Sequence, residues 1–91
     1  MASYKVLPKP SIERDLRSLP KTTIARVIKQ MEALGNDPFP RKAAKLEGGE
    51  ELYRVRVGDY RIVYGVDQAA KQVIVHYVRH RREVYRKLFR G

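Results

Sequence analysis

Two short runs of alternating residues, joined only by Gly58-Asp59, constrain the fold of this chain more than any other feature. The runs cover residues 52–57 and 60–64. A two-residue connection that begins with glycine predicts a tight β-hairpin, because glycine readily adopts the positive φ angles of primed turns. The turn also sets the register of the two strands, so Arg56 is expected to lie directly opposite Arg61.

This register sorts the side chains of the hairpin onto two faces of a sheet. The apolar face comprises Tyr53, Val55, Val57, Tyr60, Ile62 and Tyr64. The other face carries Arg54, Arg56 and Arg61. Like charges that face each other across two strands destabilise a sheet. An arginine face of this kind therefore indicates an anionic ligand, and a phosphate backbone is the first candidate.

Composition points to the same class of ligand. The chain has 91 residues, enough for one domain (1–91), with 20 Lys and Arg against 10 Asp and Glu, a net charge of +10. Such an excess attracts nucleic acid or acidic proteins, although charge can also serve solubility alone. The chain has no cysteine, which excludes disulfides and thiolate metal sites. With no run of about 18 apolar residues and no signal-peptide pattern, we expect a cytoplasmic protein without a membrane span.

Two helices are predicted before the hairpin. From Ser11 an apolar stripe of Ile12, Leu16 and Leu19 runs to Pro20, and the charged residues 13–15 and 17 are expected outside it. A second stripe follows and ends at Gly35, a helix-termination signal. Its members are Ile24, Val27, Ile28, Met31 and Leu34. The short break between the stripes predicts an antiparallel helical hairpin.

The remaining segments complete an α+β fold. Residues 3–7 and 71–78 are typical of strands, residues 35–51 of a basic surface loop, and residues 79–91 of a short basic helix. We expect a small antiparallel sheet made of the N-terminal strand and a three-stranded C-terminal meander. The helical hairpin would cover one face, and the arginine face would stay open as a shallow groove.

Six residues carry side chains suited to holding or cleaving a phosphodiester. They are Arg54, Arg56, Arg61, His80, Arg81 and Tyr85. RNA can be cleaved without metal when a 2′-hydroxyl attacks the adjacent phosphate. That reaction needs a proton acceptor, cations for the phosphorane charge and a proton donor for the leaving oxygen. No metal-ligand or nucleotide-binding motif is present in the sequence, so we expect no metal and no cofactor.

Arginine suits the stabilisation of charge, because it is planar, bidentate and always protonated. Proton transfer would fall to Tyr85, if nearby arginines stabilise its phenolate, or to His80. Each candidate also has a structural interpretation, since exposed arginines are usually solvated and Tyr85 could pack beside Leu88. The strand tyrosines, including Tyr77, fall on apolar alternations and are expected in the core. Tyr60, at the turn, is the one that could also contact substrate.

Taken together, these segments and residues make the chain resemble RelE-type toxins of type II toxin–antitoxin modules, within the RelE/ParE superfamily. The resemblance covers nearly the whole length. It includes the runs at residues 13–16 and 45–48, and it is clearest at residues 52–64 and 80–85. It implies a ribosome-dependent, metal-independent endoribonuclease that cleaves mRNA in the A site. It also implies contact with 16S rRNA and a cognate RelB-like antitoxin that inhibits the toxin, as part of a hetero-oligomer.

The resemblance also assigns roles to residues. Arg54 and Arg56 correspond to base and phosphate contacts, and Arg61 to the transition-state-stabilising arginine. Arg81 corresponds to a basic residue before the tail, with Arg79 as an alternative match, and Tyr85 to a tyrosine that orients the substrate. Further substrate contacts are expected from Lys45, Tyr60, Arg79 and His80. Well-studied members have lysines where this chain has Arg54 and Arg56, and arginine is a poor proton acceptor.

Three other functions remain open at this point. A ParE-like inhibitor of DNA gyrase would share the fold without needing the arginine face. A non-catalytic RNA-binding module would bind with a steep salt dependence and leave RNA intact. A degenerate toxin, retained as a repressor partner, would fit the replacement of lysine by arginine.

Overall fold

The structure, a computed structural model, describes residues 3–46 and 51–80. Its elements, in chain order, are β1 (Lys5–Pro8), α1 (Ser11–Arg17), α2 (Lys21–Asn36), β2 (Ala44–Lys45), β3 (Leu52–Val57), β4 (Tyr60–Asp67) and β5 (Gln72–His80). The strands form one sheet in the order β1-β5-β4-β3-β2. The predicted α+β class, with two consecutive helices against a C-terminal meander, is confirmed. The predicted C-terminal helix, with Arg81 and Tyr85, lies outside the described residues.

The β3–β4 hairpin has the predicted register. Arg56 lies opposite Arg61, and Val57 lies opposite Tyr60 next to the turn. Gly58 has a φ of +59°, while Asp59 does not have a positive φ. This is the requirement of a type II′ turn, in which glycine takes the first central position. The two-residue connection therefore determines which side chains of both strands share a face.

The sheet is mixed rather than wholly antiparallel, which corrects the expectation for the N-terminal strand. β1 runs parallel to β5, with Lys5 opposite Gln72 and Pro8 opposite Val75. The two helices carry the chain across the sheet between β1 and the meander, so no tight turn dictates the direction of β1. Pro8, one residue beyond the predicted strand 3–7, is the last residue of β1 and lies on the sheet edge, where proline is tolerated.

Two further details of the strands differ from expectation. The predicted loop 35–51 contains a two-residue strand, β2, whose Ala44 lies opposite Arg54 and whose Lys45 lies opposite Tyr53. Two residues are too few to show any periodicity in sequence. β5 extends to His80, beyond the predicted end at residue 78. Arg79 therefore belongs to the sheet, not to the tail.

The main core lies between the helices and one face of the sheet. Its fully buried members include Val27 and Leu34 of α2 and Val55, Ile62 and Tyr64 of the hairpin. The Tyr64 hydroxyl donates a hydrogen bond of 2.8 Å to the Pro38 carbonyl oxygen. Burial, with smaller contributions from Tyr53 and Asp37, raises the pKa of Tyr64 to about 12.

One charged residue of α1 is buried, contrary to the sequence interpretation. Asp15 was expected on the outer face of the helix, yet only 7 % of it is exposed. It lies between Ile12 and Leu19 at helical spacing, so it belongs to the stripe that faces the sheet. A buried carboxylate requires hydrogen-bonding partners, and Asp15 accepts hydrogen bonds from the Val78 N–H and from the Arg79 side chain.

A β-bulge alters the faces of β5. Val63 lies opposite Tyr77 and Tyr64 lies opposite Val75, so His76 is an extra residue on β5. Tyr77 was expected in the main core. It packs instead on the opposite face, in a second apolar cluster made of Leu46, Leu52, Val63 and Tyr77. The expected shallow groove on the arginine face is therefore partly filled by apolar side chains.

Candidate functional site

Three arginines from three neighbouring strands form a single row across the sheet. Arg61 on β4 lies opposite Arg56 on β3, and also opposite Arg79 on β5. Neighbouring strands are about 4.8 Å apart, so the row spans roughly 10 Å. Arg56 is exposed, and Arg61 and Arg79 are half-buried. We call these three residues the arginine row.

Arg79 has contacts that define its position in the row. Its Nη1 donates a hydrogen bond to Oδ1 of Asp15, forming an ion pair with that buried carboxylate. Its guanidinium carbon lies 5.5 Å from the ring centroid of Tyr77, within range of a cation–π interaction. Arg79 is thus held by a charged group on α1 and by an aromatic ring on its own strand.

At the other end of the row, Arg56 is turned toward the hairpin tip. Its Nε donates a hydrogen bond of 2.7 Å to the Gly58 carbonyl oxygen. Arg54 lies two residues earlier on the same face of β3, opposite Val63. The structure therefore groups Arg54, Arg56, Arg61 and Arg79 on one face, as expected for the first three.

Three other predicted contacts are not grouped with the arginine row. Tyr60 lies opposite His80, and the alternation along the two strands places both on the face that the helices cover. Their ring centroids are 5.5 Å apart in a T-shaped arrangement. Tyr60 also packs against the main core. Lys45 lies opposite Tyr53, and the alternation along these strands places both on the helix-covered face as well. Arg81 and Tyr85 lie outside the described residues.

His76 was set aside as a site residue from the sequence because it falls within a strand, and in the structure it lies on the arginine-bearing face beside the bulge. Its ring lies 6.3 Å from that of Tyr77, measured between centroids. His76 Nε2 lies beside Gly65, at 3.4 Å from where a Cβ of that residue would be, an ordinary van der Waals distance. In the register of the sheet His76 is separated from the arginine row by the Val63–Tyr77 pair, so it does not belong to the row.

A cationic groove, also missed from the sequence, lies beside the hairpin tip. It has a volume of about 430 Å³ and runs between α2 and the end of β3. Its lining comprises Arg26, Lys29, Gln30, Ala33, Lys42, Arg56, Val57 and Gly58. Four of these eight residues are cationic and none is acidic. The spacing of Arg26, Lys29 and Ala33 along α2 was the available signal, since it places them on one helix face.

Arg56 belongs both to the arginine row and to the cationic groove. The two features are therefore continuous around the tip of the hairpin. Such a surface is suited to several consecutive anionic groups rather than to one isolated ion. Within residues 3–46 and 51–80, no cluster of His, Cys, Asp or Glu is suited to holding a metal ion. In the same part of the chain, no helix is long and apolar enough to cross a membrane.

Comparison with known proteins identifies the family of this chain. The sequence profile of the ParE toxin of the type II toxin–antitoxin system parDE matches residues 6–85. The chain belongs to the ParE toxin family. It is accordingly a type II toxin of the RelE/ParE superfamily, as the resemblance in the sequence predicted.

Individual relatives support this membership in the ParE toxin family. The chain is 29 % identical over 76 residues to a putative toxin RelE1 of Methanocaldococcus jannaschii, covering 80 % of this chain and 84 % of the relative. It is 34 % identical to a chain of the archaeal RelE–RelB complex from Pyrococcus horikoshii, with a TM-score of 0.78. That match covers 87 % of this chain and 96 % of the other.

A bacterial structure in the same superfamily is also similar. A chain of the toxin–antitoxin complex RelBE2 from Mycobacterium tuberculosis is 28 % identical, with a TM-score of 0.76. The match covers 86 % of this ParE-family chain and 98 % of the bacterial one. The fold of the sheet and its two helices is thus shared between archaeal and bacterial members.

Proposed function

We propose that this toxin is a ribosome-dependent endoribonuclease that cleaves mRNA in the A site by attack of a 2′-hydroxyl on the adjacent phosphate. The observation that supports this proposal best is the arginine row. Arg56, Arg61 and Arg79 occupy paired positions on three adjacent strands. Their mutual repulsion is unfavourable for the folded protein, and a bound phosphate relieves it.

The arginine row supplies the electrostatic part of the reaction. Attack by the 2′-hydroxyl gives a phosphorane with more negative charge than the starting diester. Guanidinium groups held in place before the reaction stabilise that charge without reorganising. Arg61, at the centre of the row, would contact the scissile phosphate, and Arg56 and Arg79 would contact its equatorial oxygens or the neighbouring phosphates.

Proton transfer needs a different kind of residue. Arginine does not lose its proton near neutral pH, so neither Arg54 nor Arg56 is suited to act as a general base. We assign this role to Tyr85, beyond the described residues, whose phenolate would be favoured by the cations of the arginine row. Arg54 would contact the RNA beside the reacting phosphate.

The cationic groove would hold RNA that flanks the reacting phosphate. The groove joins the arginine row at Arg56 and adds Arg26, Lys29 and Lys42. A continuous positive path of this kind fits a phosphodiester backbone, whose charges repeat at each nucleotide. Binding of this type releases counterions and therefore weakens steeply as salt increases.

The inhibitor of this toxin is proposed to be a RelB-like antitoxin. The archaeal and mycobacterial relatives were solved as toxin–antitoxin complexes. The net charge of +10 favours association with an acidic protein segment as well as with RNA. Because mRNA on the ribosome is the proposed substrate, the toxin would act in the cytoplasm and contact 16S rRNA there.

A cell-free translation reaction tests this function. Purified toxin is added, and the ends of the mRNA are mapped by primer extension, with ribosome-free mRNA as the control. Cleavage at A-site codons only in the presence of ribosomes is the expected result. Cleavage of free mRNA would contradict ribosome dependence, and intact mRNA with normal translation would contradict nuclease activity and favour a degenerate toxin.

Inhibition of DNA gyrase is the second candidate, because the matched family profile is that of a ParE toxin. The two functions differ in their first effect on cells. A gyrase inhibitor causes DNA damage while translation continues, and an mRNA endonuclease stops translation first. Pulse labelling of protein synthesis and a DNA-damage reporter, followed after toxin induction, distinguish them.

A further inference from the structure

The buried carboxylate of Asp15 connects α1 to the end of β5. Its Oδ2 accepts a hydrogen bond of 3.1 Å from the backbone N–H of Val78. Its Oδ1 accepts a hydrogen bond from Nη1 of Arg79. Both oxygens of this one carboxylate therefore hold consecutive residues of β5, 63 and 64 positions away along the chain.

The position of Asp15 is explained by the length of β1. β1 pairs with β5 from Gln72 to Val75, and the last backbone contact beside it joins the Lys9 N–H to the Val75 carbonyl oxygen. β5 continues to His80. Beyond Val75, no strand among the described residues pairs with its outer edge, and the side chain of Asp15 accepts the hydrogen bond from Val78 that a strand would otherwise accept.

The contact with Arg79 has a further consequence, because Arg79 lies next to Arg61 in the arginine row. Repulsion from Arg61 favours conformations in which the Arg79 side chain points away. The buried carboxylate of Asp15, at the outer edge of β5, fixes the guanidinium in one such conformation, since a charge-assisted hydrogen bond at a site of low dielectric is strong and directional. A guanidinium carries five N–H donors, so it can bind a carboxylate and a phosphate at the same time.

We propose that Asp15 is a positioning residue that fixes the Arg79 guanidinium at the outer end of the arginine row, where it can contact the phosphate of bound RNA. This inference rests on the proposed nuclease function, in which Arg79 contacts substrate and Asp15 does not. Arg79 is then ordered before the reaction begins. If the carboxylate of Asp15 is removed, the Arg79 side chain becomes disordered. The rate of cleavage should then fall more than the affinity for RNA, because preorganisation acts mainly on the transition state.

Asp15→Asn is the main variant, since asparagine keeps the size of the side chain and an acceptor for the Val78 N–H. Glu13→Gln is the matched control. Glu13 lies on the same helix, its replacement removes the same charge, and it pairs with Arg17 at the surface, 2.6 Å away. Circular dichroism and thermal unfolding establish that each variant is folded. Should Asp15→Asn fail to fold, Asp15→Glu replaces it, because glutamate keeps the charge and displaces it by one methylene.

Single-turnover cleavage on programmed ribosomes is then measured in a double-mutant cycle with Arg79→Gln. We expect Asp15→Asn to lower the cleavage rate constant by about 10- to 100-fold, with a smaller change in half-saturating concentration. In the Arg79→Gln background, Asp15→Asn should change the rate by less than about twofold, because its partner is already gone. Equal losses in both backgrounds, or no loss in wild-type background, would overturn the proposal.

A second readout does not depend on nuclease activity. The side-chain Nη–H signal of Arg79 is followed by NMR at low temperature in the wild-type toxin and in the two α1 variants. A shifted, protected signal in wild type and Glu13→Gln, and its loss in Asp15→Asn, is the expected result. The same signal in all three proteins would overturn the positioning role. A wild-type toxin that does not cleave mRNA would refute the proposed function, while the NMR result would still decide whether Asp15 holds Arg79.

Discussion

Arg61 on β4 lies directly opposite Arg79 on β5, in a sheet where such a pairing of like charges is unfavourable. Arg56 continues the row on the other side of Arg61. Arg79 forms an ion pair with the buried carboxylate of Asp15. Binding of an anionic ligand to this face is the function proposed for the arrangement.

Replacement of Arg61 should separate activity from stability. Arg61→Gln removes the central charge of the arginine row, and we expect cleavage to fall by about 100-fold, as for the loss of one preorganised donor. The free energy of unfolding should change by less than about 0.5 kcal/mol, or increase slightly, because two repulsive pairs are removed. Single-turnover cleavage and urea unfolding measure the two effects.

The control for Arg61→Gln is Arg14→Gln. Arg14 is exposed on α1 and carries the same charge, so its replacement should leave cleavage near the wild-type rate. Equal losses of activity in the two variants would show that only net charge matters. An unfolded Arg61→Gln protein would contradict the placement of Arg61 on the ligand-binding face.

The cationic groove predicts a specific change in the salt dependence of RNA binding. The double variant Arg26→Gln/Lys29→Gln should lower the slope of log Kd against log salt concentration by about 1.4, corresponding to two lost contacts with single-stranded RNA. Fluorescence anisotropy with a labelled oligoribonucleotide measures the slope.

A matched pair of cations tests whether that change belongs to the groove. Lys5→Gln/Lys9→Gln removes two exposed charges from the opposite edge of the sheet, where β1 lies. We expect the slope for this variant to stay close to that of wild type. The same decrease in both double variants would argue against a defined RNA path through the groove.

The raised pKa of Tyr64 predicts that the folded protein loses stability at alkaline pH. Its pKa rises from the ordinary value of 10.0 to about 12 in the folded protein, mainly through burial. The unfolded chain therefore loses this proton first, and the free energy of unfolding should fall as pH rises from 10 toward 12. Urea unfolding across this range measures the decline.

Tyr64→Phe is the variant that isolates this effect. It removes the hydrogen bond to the Pro38 carbonyl oxygen, at an expected cost of about 1–2 kcal/mol near neutral pH. It should also remove the part of the alkaline decline that belongs to Tyr64. A decline of unchanged size in Tyr64→Phe would assign it to other groups.

The hairpin turn predicts a conformational requirement at Gly58. A Cβ at this position would lie 3.6 Å from Arg26 Nη1, an ordinary contact, so space is available. The φ of +59° is nevertheless unfavourable for alanine. We expect Gly58→Ala to lower the free energy of unfolding by about 1 kcal/mol and Gly58→Asn to lower it less, because asparagine tolerates this region. Equal costs for the two substitutions would contradict a backbone origin.

Local signals in the sequence were sufficient to predict the β3–β4 hairpin and helix α2. Gly58-Asp59 set the turn and hence the pairing of Arg56 with Arg61, and the apolar stripe from Ile24 to Leu34 marked the helix. Both depend on residues close together in the chain. The same alternation placed Arg54 on the arginine-bearing face.

Features that depend on distant residues were not predicted. The parallel pairing of β1 with β5 joins segments more than 60 residues apart, and no local pattern specifies its direction. The bulge at His76 reverses the expected face of Tyr77, because one extra residue shifts the alternation. Asp15 was placed outside the apolar stripe by its charge, although its spacing from Ile12 and Leu19 puts it on the stripe, and its contacts with the distant residues Val78 and Arg79 satisfy the buried carboxylate.

The most direct test of the account uses ribosomes programmed with two mRNAs that differ in one atom. One mRNA carries the normal 2′-hydroxyl at the nucleotide before the scissile A-site phosphate, and the other carries hydrogen there. The toxin should cleave the first on the ribosome, leave a cyclic phosphate, and leave the second intact. Equal cleavage of both mRNAs would contradict attack by the 2′-hydroxyl, and cleavage of neither would contradict the nuclease function itself.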